Sequence, residues 1–516
     1  VYQILRINDF GSNGLNTDLP AAELPPGFVT DGRNFCVING NIRTRGGFSF
    51  GSDTPADFKF MYPMDADRDV WILFSDTECY LFDGNSFTDI TGAIPLDPDA
   101  YSWVGTSIGR ISVFSSESNY PMYLSDTSGN STLSDLPYDV EGSSTWRSVG
   151  LVARSIRSVG QFLVAMNITD GGTHYPDLIH WSHPADVGGL PNSWDYFRDD
   201  RLANRVALGG NGGDIIDGFA LRDGMQIYRH NGISTLNLTR DEYVFSIRHL
   251  TEIASAANVR SIVEIKGAHF VMTNDDIVVN DGNSVQSIVH HKIRRAFIER
   301  LNGENIHTAY AMKNPLAKEI WFCIPETSEL CTTAFIYNWR DDSWAVRDLP
   351  SVRHSDFGVV KSESKTWDAW LELWNASTGI WNQGRTSVND KSVVACSPVS
   401  TINLDIEFSN SEGGTEFNTY IYRDNLAIAG HDNVTAIQRI YPHISGTQEV
   451  LIEVGSHDHA YGPIRWKPGV KFRPGIDRKV DIRTTGELHA FRISSTGTEH
   501  WKCSGMDIEY ALAGKR

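Results

Sequence analysis

Cys79-Tyr-Leu-Phe-Asp-Gly84, Gln226-Ile-Tyr-Arg-His-Asn-Gly232 and Asp276-Ile-Val-Val-Asn-Asp-Gly282 end three units of one pattern. In each, a short apolar run closes on Asp-Gly or Asn-Gly, the dipeptides that supply positive φ to tight hairpin turns. A second apolar run precedes each one, at residues 70–74, 218–221 and 269–272. Three looser units occupy residues 110–126, 160–197 and 318–349. Six strand-turn-strand units therefore recur at intervals of about 40 to 60 residues, which is the signature of β-propeller blades. No such unit buries both of its faces alone, so neighbours must stack.

The chain has 516 residues, more than one ordinary core accommodates, so two or three domains are expected. Residues 1–50 read as an irregular N-terminal arm, because Pro20, Pro25, Pro26 and several glycines interrupt any regular element. The arm ends in Asn39-Gly-Asn-Ile-Arg-Thr-Arg-Gly-Gly47, a hairpin signal expected to lead into the first blade. Residues 51–350 carry the six repeats and are expected to form a six-bladed propeller. Residues 351–395 form a Trp-rich insert or linker. In residues 396–516, stretches such as Val480-Asp-Ile-Arg and Leu488-His-Ala-Phe-Arg-Ile493 alternate polar and apolar. They predict half-buried antiparallel strands and a C-terminal β-sandwich. The expected class is thus all-β with little helix. The one convincing helix lies within residues 290–302, where Ile293, Phe297 and Leu301 recur every four residues as an apolar stripe. Lys292, Arg294, Arg295 and Arg300 fall mostly off that stripe. They read either as a solvated outer face or as a basic surface for a partner, which makes Arg294 and Arg295 candidate interface residues.

Charge and composition exclude several classes. With 41% hydrophobic residues the composition is that of a globular chain, and no run of 18 apolar residues occurs. The start Val1-Tyr2-Gln3 shows no charged segment followed by an apolar core, so no signal peptide is expected. The formal net charge is −19. Such a chain gains no counterion release from phosphates and will not grip nucleic acid, although it can surround it. The six cysteines, at 36, 79, 323, 331, 396 and 503, form no CxxC pair, so zinc is not expected. Cys323 and Cys331 flank a predicted turn and could face each other across it, but free buried thiols are the preferred reading.

The chemistry-bearing motifs are weak. Asp65-Ala-Asp-Arg-Asp69 alternates carboxylates like a calcium loop but lacks its Gly and Glu, and reads as a hydrated turn. His457-Asp-His459 offers two imidazoles without a third ligand. Gly209-Gly-Asn-Gly-Gly-Asp214 fits neither a dinucleotide fingerprint nor a P-loop, and reads as a flexible link between blades. No HExxH occurs. The nearest approach to a sialidase turn, Ser409-Asn-Ser-Glu-Gly-Gly-Thr415, has serine where aspartate belongs. No carboxylate pair is nominated for glycoside hydrolysis. No catalytic residue, cofactor or metal is expected, and no enzyme activity. Trp367, Trp370, Trp374 and Trp381 form the remaining feature, with three of the four seven residues apart. Asn375, Ser377, Thr378 and Gly379 oppose a long helix there. The tryptophans therefore read as packing within the chain or as interface anchors.

Several of these segments together resemble one family. Asp217-Gly-Phe-Ala-Leu-Arg-Asp-Gly-Met-Gln-Ile-Tyr-Arg229 and Ile262-Val-Glu-Ile-Lys-Gly-Ala-His-Phe-Val-Met-Thr273 resemble blades of the tail nozzle, or tail hub, proteins of short-tailed bacteriophages. Ala334-Phe-Ile-Tyr-Asn-Trp-Arg-Asp-Asp-Ser-Trp-Ala-Val-Arg-Asp-Leu-Pro350 looks like the closing blade of that family. The tryptophans at 367–381 are similar to its Trp-rich insert. Ile440-Tyr-Pro-His-Ile-Ser-Gly446 and Trp501-Lys-Cys-Ser-Gly-Met-Asp-Ile-Glu-Tyr510 resemble its C-terminal sandwich. The resemblance spans residues 30–516. It implies a structural virion protein of the tail, assembled in the host cytoplasm as a homo-hexamer below a tail adaptor protein. It also implies sites for tail fibre or spike proteins, and genomic double-stranded DNA passing through a channel without specific binding or a small-molecule substrate. An acidic channel suits that role, since it repels phosphates. The alternative is a lectin-like, carbohydrate-binding propeller whose exposed aromatics stack on sugars.

Overall fold

The computed structural model describes residues 2–64, 70–84, 86–98, 101–125, 132–239, 244–251, 255–359, 391–406, 411–412 and 415–515. Among them, structure is almost entirely β-strand, as the composition and alternation predict. Helix is confined to Trp146–Val149, Arg294–Arg300 and two 3-10 turns.

Each of the six sequence repeats is part of an antiparallel four-stranded meander. The six sheets occupy residues 60–89, 104–135, 151–207, 215–251, 262–287 and 310–352. Their central strands are buried on both faces. Trp71–Phe74, Gly224–Arg229 and Glu319–Pro325 are buried at every position. That is expected of sheets stacked face to face, with both surfaces packed. The Asp-Gly turns place Gly84 and Gly282 at φ 97° and 89°, the left-handed region where a side chain would be strained. The Asn231-Gly232 turn does not follow that prediction, and neither residue has positive φ.

A seventh four-stranded meander, one end of an 11-stranded sheet, was hidden in the sequence. It consists of His354–Val359, Lys391–Cys396 and Ser400–Ile406, completed by Gly47–Asp53 from the other end of the chain. All three expected boundaries therefore fall inside strands: residue 50 lies in Gly47–Asp53, residue 350 in Ser343–Val352 and residue 395 in Lys391–Cys396. The first strand of each sheet neighbours that of the next. Tyr62 meets Ser107, and Val104–Ile108, Leu151–Val159, Ile215–Leu221, Ile262–Ile265, Tyr310–Asn314 and His354–Val359 follow in order. His354–Val359 then packs on Phe60–Pro63 of the first sheet.

The N-terminal arm is not irregular, and this corrects the sequence reading. Residues 3–53 contribute seven short strands. Gln3–Ile7 pairs with Trp501–Lys515, Asp31–Arg33 with Thr415–Leu426, and Gly14–Leu15 extends the sixth sheet. Pro and Gly interrupt the arm, but only into strands of two to seven residues, most of them completed by a distant partner. The predicted hairpin is present: Phe35–Ile38 pairs with Asn41–Thr44 across Asn39 and Gly40 at φ 52° and 72°. It joins a C-terminal sheet through Asn41–Thr44 before the chain reaches the first meander.

Residues 415–515 build two sets of strands around the arm. One, which continues the 11-stranded sheet, centres on Thr415–Leu426, Leu488–Gly497 and Val450–His457. The other centres on Asn433–Gly446 and Trp501–Lys515. Ile421, Ile493 and Ile452 form one row across the first of these. They share a core with Ile437, Ile440, Met506 and Ile508 of the second. The same core continues through Phe35, Val37 and Ile42 of the arm to Phe297, Phe322 and Phe335 beside the fifth and sixth sheets.

Candidate functional site

Side-chain bonds tie the first strands of neighbouring sheets together. Tyr62 Oη lies 2.8 Å from Ser107 Oγ, Thr106 Oγ1 lies 3.1 Å from Ser158 Oγ, and Tyr310 Oη lies 2.8 Å from Ser355 Oγ. Arg157 bridges three sheets. Its Nη1 donates to the Gly105 carbonyl at 2.8 Å, its Nε donates to Asp217 at 3.1 Å, and its guanidinium sits 4.1 Å from the Phe219 ring centre. Asp217 is fully buried, so this pairing compensates a charge that would otherwise be costly. Arg260 reaches from the start of the fifth sheet to donate to the Lys59 carbonyl beside the first, at 2.9 Å. Asp356, on the first strand of the seventh sheet, has its carboxyl pushed up to about 6 by burial, against the opposing effects of the Phe357 N–H and Lys313. These bonds make the sheets one packed unit, and they nominate no reacting pair.

The basic helix is shorter than expected, Arg294–Arg300, and its stripe is as expected. Ile293 and Phe297 are buried, and Leu301 packs against the same core. Its cations serve the chain itself. Arg294 Nη2 donates to Asp275 at 2.9 Å, and Lys292 Nζ donates to Asp342 at 2.7 Å. Arg295 Nη2 donates to the Thr17 carbonyl at 3.0 Å, although its side chain stays 68% exposed. The carboxylate of Asp18 receives the backbone N–H groups of Arg294 and Arg295 at 2.9 and 3.0 Å. A residue from the arm thus caps a helix 276 positions away, where a negative charge also suits the helix dipole. Arg294 and Arg295 hold the arm, and Arg295 alone of the two keeps a largely free surface.

The other nominated residues are not brought together. Trp367, Trp370, Trp374 and Trp381 lie outside the described residues, as does the Asp65–69 loop. His457 is buried, 3.3 Å from Asp424, whereas His459 is exposed, so the two imidazoles do not share a site. Among the described residues no cluster of three or more His, Cys, Asp or Glu could hold a metal. All six cysteines are buried thiols outside any disulfide. Cys323 pairs in register with Ala334, and Cys331 with Pro325, so the two are not opposite each other. Burial pushes the thiols of Cys323, Cys396 and Cys503 up to about 12, away from the reactive thiolate. The glycine-rich link between the third and fourth sheets is held rather than loose. Arg229 donates to the carbonyls of Gly209 and Gly213 at 2.8 and 3.0 Å, and a Cβ on Gly212 would strike its guanidinium.

Sequence reasoning missed two buried ion pairs, Arg157 with Asp217 and Arg45 with Glu319. Their partners are 60 and 274 residues apart, and no local pattern links them. No protein-family model matches the chain, and no curated protein matches it.

Proposed function

We propose that the chain is a structural tail protein of a short-tailed bacteriophage, the nozzle through which the genome leaves. The observation that carries this reading is the serial order of four-stranded sheets joined to a pair of facing C-terminal sheets. The sheets at residues 60–352 follow one another through their first strands. The seventh, completed by Gly47–Asp53, packs on the first. This arrangement supports a β-propeller of seven blades, one more than the repeats alone suggest, and the shared C-terminal core supports a β-sandwich. That combination is what the family resemblance implies.

The mechanism is mechanical and electrostatic. Six copies form a ring under a tail adaptor and carry fibres or spikes, and DNA passes through without being gripped. The net charge of −19 supports this, because an acidic wall repels a phosphate backbone. The chain performs no catalysis in this reading. Mass photometry of the purified chain, alone and mixed with the other tail proteins, tests it. A species of six times the 57.5 kDa chain mass is expected. A monomer under both conditions would refute it.

A further inference from the structure

The third sheet carries a small polar cleft apart from every feature above. Val152, Thr169 and His174 are lateral neighbours on its first three strands. Arg154 lies two positions beyond Val152 and so projects from the same face. Asn167 joins them through a bulge: the register shifts between Met166 and Ile168, and Asn167 adopts φ 55°. Bulges re-aim side chains in this way beside functional sites. The Asn167 side chain is then fixed at both ends. Its Nδ2 donates to the Ile215 carbonyl at 2.8 Å, and His174 Nε2 donates to its Oδ1 at 2.6 Å. With Nε2 as the donor, Nδ1 of a neutral His174 is left as an acceptor. Glu117, from the loop after Ile111–Ser115, forms the remaining wall. The cleft is open to the surface and has a volume of about 240 Å³.

We propose that this cleft binds one pyranose ring of a neutral saccharide. A sugar hydroxyl both donates and accepts, and the walls alternate in the matching sense. Glu117 and His174 Nδ1 accept, Arg154 donates, and Thr169 Oγ1 does either. Arg154 Nε is buried without a hydrogen-bond partner, and the Glu117 carboxylate stands 3.9 Å away, too far to accept from it. A sugar hydroxyl at the mouth of the cleft can donate to the exposed Glu117 carboxylate. Val152 offers the apolar wall that a ring C–H face requires. The opposed charges of Glu117 and Arg154 disfavour an anionic and a cationic ligand respectively. The volume is below the ~300 Å³ at which drug-sized pockets begin, which suits a single ring. This inference is independent of the nozzle reading, because it concerns one face of one sheet and not assembly.

The test is saturation-transfer NMR and calorimetry on the full chain with methyl glucoside, galactoside and mannoside, and with methyl glucuronoside as the charged comparison. Saturable binding of at least one neutral glycoside is expected. It should weaken at least tenfold in Glu117→Gln and, separately, in His174→Ala. Glu117 is exposed and its carboxylate holds no other element in place, so Glu117→Gln should melt as the parent does, whereas His174→Ala also frees Asn167 and is read only beside its own melting curve. Absence of saturable binding by the parent, unchanged affinity in both variants, or preference for the glucuronoside would each overturn the proposal.

Discussion

Removing the arginine of the Arg45–Glu319 pair should destabilise the whole chain, because this pair fastens the arm to the sixth sheet. Arg45 stands between the hairpin strand Asn41–Thr44 and the strand Gly47–Asp53 that completes the seventh sheet. Its two terminal nitrogens donate to the two Glu319 oxygens at 2.8 Å each, with both side chains 2–3% exposed. Glu319 also accepts from Trp321 Nε1 at 3.0 Å. Arg45→Met leaves a buried carboxylate without this partner, a change that costs about 3–5 kcal/mol. Arg45→Met with Glu319→Gln removes the stranded charge and retains an acceptor for Trp321, so most of the loss should be recovered. Unfolding entropy is about 2.1 cal/mol/K per residue, or about 1.1 kcal/mol/K for 516 residues unfolding together. The single variant should therefore lower Tm by about 3–5 °C in one calorimetric transition. The arm's strands join the sixth sheet, the seventh meander and both sets of C-terminal strands, so no second transition should separate these units. A loss below about 1 kcal/mol, or a double variant as unstable as the single one, would refute the reasoning.

Two further predictions concern stability. Burial depresses the imidazoles of His180 and His489 to about 4, and neither side chain is exposed. A depressed histidine contributes stability that is complete above its unfolded value of about 6.5 and is lost as pH falls toward 4. At pH 5 each should cost about 2 kcal/mol, with the raised carboxyl of Asp356 opposing in part, since its charged form is the disfavoured one as pH rises. Scanning calorimetry should show Tm falling between pH 7 and pH 5, and a flat profile would contradict the burial of these rings. Asp18→Ala should cost about 0.5–2 kcal/mol, because it removes the cap from helix Arg294–Arg300. Hydrogen exchange at the amides of Arg294 and Arg295 should accelerate in that variant, and unchanged protection would mean the cap is not formed.

The parts of the fold legible in the sequence are those whose information is local. A unit such as Trp71–Phe74 with Cys79–Phe82 announces itself by its paired apolar runs and by the Asp-Gly turn that follows them, and six of the seven meanders contain such paired runs. The helix was legible because Ile293, Phe297 and Leu301 share a face. The seventh sheet was not, because Gly47–Asp53 and Ser400–Ile406 lie some 350 residues apart. The same distance hid the arm. Gln3 pairs with Tyr510, so nothing near Gln3 reveals the strand. The candidate interface fared differently. Arg294 and Arg295 were legible as a basic surface, but their carboxylate and carbonyl partners come from residues 17–18 and 275, which spacing on the helix cannot disclose. The cleft on the third sheet depends on a bulge at Asn167, and an asparagine within an apolar strand gives only a faint signal of one.

Single-particle electron microscopy of the assembled chain, prepared with the other tail proteins, is the most direct test of the proposed function. The nozzle reading predicts a six-fold tube, each subunit contributing a seven-bladed propeller and a sandwich, around a channel wide enough for duplex DNA and lined by acidic side chains. Single propellers without a ring, or a ring whose lumen is basic or too narrow for a duplex, would contradict it.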